Sequence, residues 1–494
     1  MQRSLALGAV GAVVAVIAVV ALIVVVALGA TSVATARDLT RSREESEALG
    51  HAAIEPTPPG GSNRFALVGG TVMTAAGAIH HPGYVVVEHN QIVDVGTGEP
   101  SLPAPVRRID VAGKFITPGL IDAHSHLGVY PAPGFEAHSD GNEATAPVTA
   151  GVWAEHSVWP QDPGIELAVA GGTTSMLVLP GSANLIGGRG VTLHLVPTRG
   201  SRAMRLAGAP DVVKMACGEN PKRNYGGKGS APSTRMGNLR GQREAFFAAQ
   251  RYRAEWEKWK SKSSAAASTD GGPRRRSKSN PEHDESLPPA RDLGLETLAA
   301  VLDGSVLAQV HCYRADDMLA MMQLADEVGF EIRAFHHALE AYKIRDLLAS
   351  KQIAVATWAD WWGFKIEAFD GIPENVGLLT ESGARAIIKS DSAIDIQRLN
   401  QEAGKALASA RQRGIALSDD QALRWITLNP AWALGVDNQI GSLEKGKRAD
   451  LVVWDRHPFS VYATAEWVFV DGALRYDRDR DQVWSDFLVG QESP

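Results

Sequence analysis

Three textures of apolar and polar positions succeed one another along the chain. Residues Leu5 to Ala30 form an unbroken apolar run preceded by a single positive charge, Arg3. Such a run exceeds the roughly 20 residues that cross a bilayer as a helix, whereas a buried core helix would be shorter and amphipathic. Residues 1–36 therefore predict an export segment of one of two kinds. Val33-Ala34-Thr35-Ala36 offers an Ala-x-Ala cleavage pattern before Arg37, which suits a signal peptide; the length of the apolar run suits a retained transmembrane anchor. Either places the rest of the chain outside the cytoplasm, in a periplasmic or extracellular position. Residues 37–62, charged and then rich in Pro, Gly and Ser, read as a linker.

The second texture is short, β-branched and punctuated by turns. It covers Ala66–Val72, Gly83–Glu88 and Gln91–Val95, with His-Pro-Gly and Gly-Thr-Gly-Glu-Pro between runs, a hairpin signature. It returns near the other end, at Ala449–Trp454 and Glu466–Arg475. Two β-rich ends around a long middle predict a small discontinuous β-sandwich domain formed by both termini, from residues 63–115 and 438–480.

In the middle, strand-like and helix-like periods alternate, the signature of a parallel sheet with crossover helices. Strands are expected at 116–123, 173–179, 191–196, 211–217, 306–312, 332–337, 353–357 and 385–390. Eight such units over residues 116–437 predict an α/β fold, a (β/α)8 TIM barrel. Residues 224–292 stand apart as an insertion, with a helix at Gln242–Lys260. The following low-complexity sequence (SKSSAAASTDGG) buries too little apolar surface to order itself, so 261–290 is expected to be flexible.

A net charge of −7 offers no electrostatic footprint for nucleic acid, and the basic run Pro273 to Lys278 reads as a solvated loop. Cys217 and Cys312 are the two cysteines. Export permits a disulfide between them, but buried free thiols are the expected state.

The chemistry-bearing residues gather at strand ends. His124 and His126 close the run that begins Thr117-Pro-Gly-Leu-Ile-Asp-Ala. Residues two apart in a strand point to the same side, so both imidazoles face one point, and neutral imidazole suits zinc and similar ions. His311 closes Val306–Val310, His336 and His337 close Glu331–Phe335, Asp391 follows Ala386–Ile388, and Lys214 lies within Asp211–Ala216. One histidine at a strand end is more often a satisfied core residue. Several strands ending in His, Lys or Asp on the face where barrel enzymes build their sites are hard to explain as packing.

In these stretches the chain resembles the amidohydrolase superfamily, and within it the imidazolonepropionase-like branch. The resemblance runs from about Phe65 to Tyr476. It is carried by ITPGLIDAHSHLG, by VHCYRADDM around His311, by SDSA at Asp391 and by the closing TLNPAWALGVDNQIGSLEKGKRADLVVWD. It implies a metal-dependent hydrolase acting on a carbon–nitrogen bond of a small-molecule substrate, such as a cyclic amide. The implied cofactor is one or two divalent ions, with zinc foremost. His124 and His126 match the ligands of the more buried ion, His311 and His337 (rather than His336) those of the second. Lys214 matches a lysine that some members N-carboxylate into a bridging ligand; some members use a glutamate instead, for which Glu219 is the alternative candidate here. Asp391 matches the aspartate that binds metal and takes the proton from water.

Glu219, Lys222, Arg223 and Tyr313 are candidate substrate contacts, with a solvated loop as the alternative for the first three. Trp358, Trp361 and Trp362 fit pocket wall or core alike. A prolidase-like metallodipeptidase uses the same ligands and stays open. So does a non-catalytic, membrane-tethered binding protein on the same barrel, although an intact ligand set speaks against decay. Assembly as a homo-oligomer is also open.

Overall fold

The structure, a computed structural model, describes residues 64–101, 106–196, 198–268 and 287–481. The predicted export segment and linker, up to residue 62, lie outside the described residues. Among the described residues no helix is long and apolar enough to cross a membrane.

Among the described residues two eight-stranded sheets organise the fold. The first takes β1 (Arg64–Met73), β2 (Ile79–Glu88), β3 (Gln91–Thr97), β4 (Arg107–Asp110) and β5 (Phe115–Pro118) from one end, and β14 (Leu451–Trp454), β15 (Ala465–Val470) and β16 (Ala473–Asp477) from the other. Its order is β16-β15-β14-β5-β1-β2-β3, with β4 also on β1. β14 runs antiparallel to β5, so the returning chain is stitched onto the opening one. In place of a sandwich of two separate sheets, the ladders describe one continuous sheet that curls on itself. β1 pairs with β4 along Phe65–Val68 and with β5 along Thr71–Val72. The irregular Gly69-Gly70 between those halves, with Gly69 at φ +89°, is where it bends. The curl brings Phe65 onto Phe469 of β15, ring centroids 5.2 Å apart. Alternate residues such as Leu67, Val85, Ile116 and Val453 fill the inside.

The second sheet follows chain order: β6 (Leu120–Ser125), β7 (Thr173–Val178), β8 (Ile186–His194), β9 (Asp211–Ala216), β10 (Val306–Cys312), β11 (Ile332–His337), β12 (Ala354–Thr357) and β13 (Ala386–Ile388). It nearly closes into a barrel, and just past β13 the Asp391 amide donates to the His124 carbonyl at 2.9 Å. One strand departs from the expected (β/α)8 pattern: β8 is antiparallel to both β7 and β9. Only residues 179–185 separate β7 from β8, too few for the crossover that a parallel return needs. The expected strand 116–123 is likewise two strands, one in each sheet, parted at Gly119. A Cβ there would lie 2.1 Å from the Thr174 hydroxyl, so only glycine lets the chain cross between sheets this closely.

The insertion is more ordered than its composition suggests. Its helix runs Arg235–Ser268, longer at both ends than expected. Phe246 stacks on Phe330 at 4.5 Å, and Gln242 donates to the Ala216 carbonyl at the end of β9 at 2.9 Å. Packing against the barrel supplies what the local sequence lacks. Of the stretch expected to be flexible, residues 269–286 lie outside the described residues.

The two cysteines are not free. The β9–β10 register sets His311 opposite Ala216, so the next residues, Cys312 and Cys217, meet with Cα atoms 5.3 Å apart and form a disulfide. The sequence separation hides a proximity that strand pairing creates.

Candidate metal centre

Inside the barrel the side-chain period of two separates core from chemistry. Val212, Ala334, Ala354, Ala356 and Ile387 pack in one buried cluster. Two residues further along the same strand faces come Lys214, His336 and Lys389, all buried. The aliphatic layer therefore forms the floor beneath a polar layer at the C-terminal strand ends.

Consecutive residues of a strand normally point to opposite faces, yet His336 and His337 both approach His124, with ring centroids 4.8 and 4.9 Å away. The backbone explains this: His337 adopts φ +70° and Ala338 φ +37°, so the chain turns out of the strand at that point. Asp391, at φ +53°, is turned inward in the same manner after β13. Such strained non-glycine positions persist where the surrounding structure holds them.

His336 has both ring nitrogens engaged, Nδ1 with His124 Nδ1 at 2.9 Å and Nε2 with Gln309 at 2.8 Å. His124 is thereby oriented with Nε2 towards Asp391, at 3.5 Å. His126 pairs Nδ1 with the Leu179 carbonyl at 2.8 Å and brings Nε2 to 3.1 Å from Asp391. His311 pairs Nδ1 with the Ser182 hydroxyl at 2.9 Å. Three buried nitrogens then have no hydrogen-bond partner: Nε2 of His124, of His311 and of His337. Orphaned buried polar atoms are costly, and metal ligation is one way to satisfy three imidazoles in one place. One ligand atom from each of His124, His337 and Asp391 lies within 4.8 Å of the others. The donor set fits a divalent ion.

The electrostatics agree. Burial, reinforced by nearby lysine charge, holds His124, His311, His336 and His337 well below the usual histidine range, so their lone pairs are available, as ligation requires. For Asp391, burial alone would raise the carboxyl, but Lys389 and His126 hold it well below its usual value. Lys214 donates to the Pro180 carbonyl at 2.9 Å, and burial lowers its amine to about 8. Lys389 lies 2.9 Å from His337 Nδ1 and 3.2 Å from Asp391, over the Trp358 ring at 3.3 Å.

All six candidate ligands, His124, His126, Lys214, His311, His337 and Asp391, thus lie at this end of the barrel. Tyr313 stacks on His337 with ring centroids 5.0 Å apart. Glu219 and Arg223 stand on the helix Glu219–Gly226 that follows β9, with Glu219 paired to Lys365 at 3.2 Å. Lys222 stands on the same helix, and among the described residues no contact ties it to the site. Of the tryptophans, Trp358 is buried beside His337 at 4.7 Å, while Trp361 and Trp362 are exposed.

Sequence reasoning missed Lys389, Ser182, Gln309 and Asp122. The buried Asp122 carboxylate accepts from the His124 and Ser390 amides at 3.1 and 3.0 Å and from the Ser390 hydroxyl, tying β6 to the Asp391 turn. Burial, against those bonds, raises it to about 6. Its place two residues before His124 was the available signal.

A second group, His194, Asp450 and Asp471, has ligand atoms equally close. There the charges are accounted for: His194 lies 3.1 Å from Asp450 and 3.4 Å from Asp471, and Arg448 takes the remaining charge of Asp471. This is an ion-pair cluster.

Comparison with known proteins bears on the first group. The sequence profile of the amidohydrolase family matches residues 294–477. The crystal structure of an amidohydrolase from Thermotoga maritima MSB8 is 33% identical, covers 84% of this chain and all of its own, and superposes with a TM-score of 0.73. Amidohydrolase tasK of Hapsidospora irregularis is 35% identical over 80% of this chain, which spans 40% of that relative's length. The imidazolonepropionase of Fusobacterium nucleatum is 46% identical over 52 residues, 10% of this chain and 13% of that protein.

Proposed function

The chain belongs to the amidohydrolase family, and on that premise we propose that it is a metal-dependent hydrolase that cleaves a carbon–nitrogen bond with water. The observation that carries this reading is the set of orphaned Nε2 atoms of His124, His311 and His337, with His124 and His337 gathered at Asp391 and His311 packed on His337. His124, His126 and Asp391 would hold one divalent ion, and His311 and His337 a second. Zinc suits imidazole and carboxylate donors. Lys214 would bridge them after N-carboxylation, in which its neutral amine forms an N–C bond to carbon dioxide and loses a proton. Burial that lowers this amine to about 8 makes that neutral form accessible.

A bound ion supplies Lewis acidity, lowering the pKa of water from about 15.7 towards 7 and polarising a carbonyl. The protein supplies the proton path. Asp391, held ionised beside His126 and Lys389, accepts a proton from the attacking water and returns it to the leaving nitrogen. Its inward turn, fixed by the hydrogen bond that its backbone amide donates to the His124 carbonyl, keeps it within reach of both. The Cys217–Cys312 disulfide supports residence in an oxidising compartment, in keeping with an export segment at residues 1–36.

The test is elemental analysis of protein purified without chelator, followed by an amide-hydrolysis screen. About two zinc-like ions per chain support the bridged site, and one ion keeps the hydrolase while removing Lys214 as a bridge. Failure to bind metal after incubation with zinc or manganese plus bicarbonate would defeat the reading.

A further inference from the structure

Two walls of opposite character rise from the histidine cluster. One is aromatic. Tyr313 lies nearly parallel to His337 (interplanar angle 14°), and Trp358 also contacts it. Trp361 stacks on Trp358 at 5.2 Å, and Phe364 lies 6.0 Å from Trp358 and 6.1 Å from Tyr313. Exposure rises along this wall, from 5% at Tyr313 and Trp358 to 37% at Trp361 and 54% at Phe364. An apolar strip that starts on a buried histidine and ends in water is covered by something narrow enough to follow it inward. A small flat group does so; a partner's surface does not. Contiguous exposed apolar surface of this kind marks a binding site, and ring stacking favours flat groups.

The other wall is polar and cationic. A cavity of about 520 Å³ is lined by Asn142, Ser182, Asn220, Arg223 and Lys228, among others, and among the described residues no carboxylate lines it. Its inner edge is Ser182, whose hydroxyl meets His311. The nearby Glu219 is neutralised by Lys365. Lys365 also donates to Asn220 at 3.0 Å and sits 3.9 Å above the Tyr313 ring, so it forms the seam between the walls. Two cations with no acid among them match an anion, and the planar guanidinium of Arg223 matches a carboxylate.

We propose that the substrate is an amide that joins a flat apolar group to a carboxylate-bearing one. Tyr313, Trp361 and Phe364 take the first, Arg223 and Lys228 the second, and the scissile bond lies between them at the histidines. This rests on the hydrolase reading above.

The test uses zinc-loaded protein and four compounds: an N-benzoyl amino acid, its carboxamide, and the N-acetyl counterpart of each. Replacing carboxylate by carboxamide, or benzoyl by acetyl, should each lower kcat/KM tenfold or more. Arg223→Ala should draw the carboxylate-to-carboxamide ratio towards one, and Trp361→Ala should do the same to the benzoyl-to-acetyl ratio. Equal turnover of all four, or ratios that neither substitution moves, overturns the proposal while leaving the hydrolase intact. If none is turned over, calorimetric binding of analogues with methylene in place of the amide nitrogen decides. The same selectivity in binding upholds the two walls and sinks the hydrolytic reading, whereas unselective or absent binding sinks the proposal.

Discussion

Asp391 and His337 share a feature that no composition or periodicity announces: both are non-glycine residues at positive φ. That turn lets His336 and His337 serve one site from adjacent positions, His336 orienting His124 while His337 keeps a free nitrogen. At Asp391 it aims a carboxylate between two histidines. Asp391→Asn is isosteric but cannot accept the proton. It should lower kcat by about 10²–10⁴-fold, the usual worth of general acid–base catalysis, while a melting curve shows the fold retained. Near-normal turnover would remove Asp391 as the base. Lys214→Ala should bring metal content to about one ion per chain or less, read by elemental analysis; two ions retained would show that the lysine is no bridge. The ligand candidates were legible because each lies in or just after an apolar run that reads as a strand. Lys389 and Asp122 were not, because their importance lies in where the backbone turns and what then sits beside them.

Single elements follow local chemistry until pairing overrules it. β8 reads as an ordinary barrel strand, and its reversal follows from the shortness of residues 179–185. The disulfide is likewise a product of pairing, clamping the strand that carries Lys214 to the strand that carries His311. Closing a loop across a sequence separation of 95 should contribute about 2–4 kcal/mol. Cys217→Ser should therefore lower unfolding free energy by about that amount in a denaturant titration, and reductant should destabilise the unsubstituted protein but not the variant. If reductant leaves both curves in place, the thiols are free in solution.

At the scale of the molecule, the barrel and the curled sheet are joined through His194 at the end of β8, paired with Asp450 and Asp471 of the returning chain. Burial alone would lower this histidine, but Asp450 and Asp471 more than reverse that and raise it to about 9. A group raised on folding stabilises most below its unfolded pKa of 6.5 and loses that contribution as pH climbs through 9. Between about pH 6.5 and 9 this pair's own contribution should thus fall by at most on the order of 3 kcal/mol, against the opposite slope of the lowered Lys214 amine. The stability difference between the unsubstituted protein and His194→Gln should therefore shrink by about that amount as pH rises through this window. Asp471 is held down at about 2 by His194 and Arg448 against burial, so its own contribution is lost only as pH falls from about 4 through 2. A stability difference between the two proteins that stays constant from about pH 6.5 to 9 would show that the pair carries no stability.

The sequence by itself determined the periods, and with them the barrel, the β-rich ends that share a sheet and the residues that crown the strands. These are local properties: side-chain alternation, turn chemistry and hydrophobic runs act over a few residues. Only the tertiary structure decided the direction of β8, the single curled sheet, the meeting of Cys217 with Cys312, and the division of labour between His336 and His337. Each depends on which distant strand lies alongside and on the turn the backbone takes at a strand end. Those outcomes are set by long-range packing, which no local window of sequence contains.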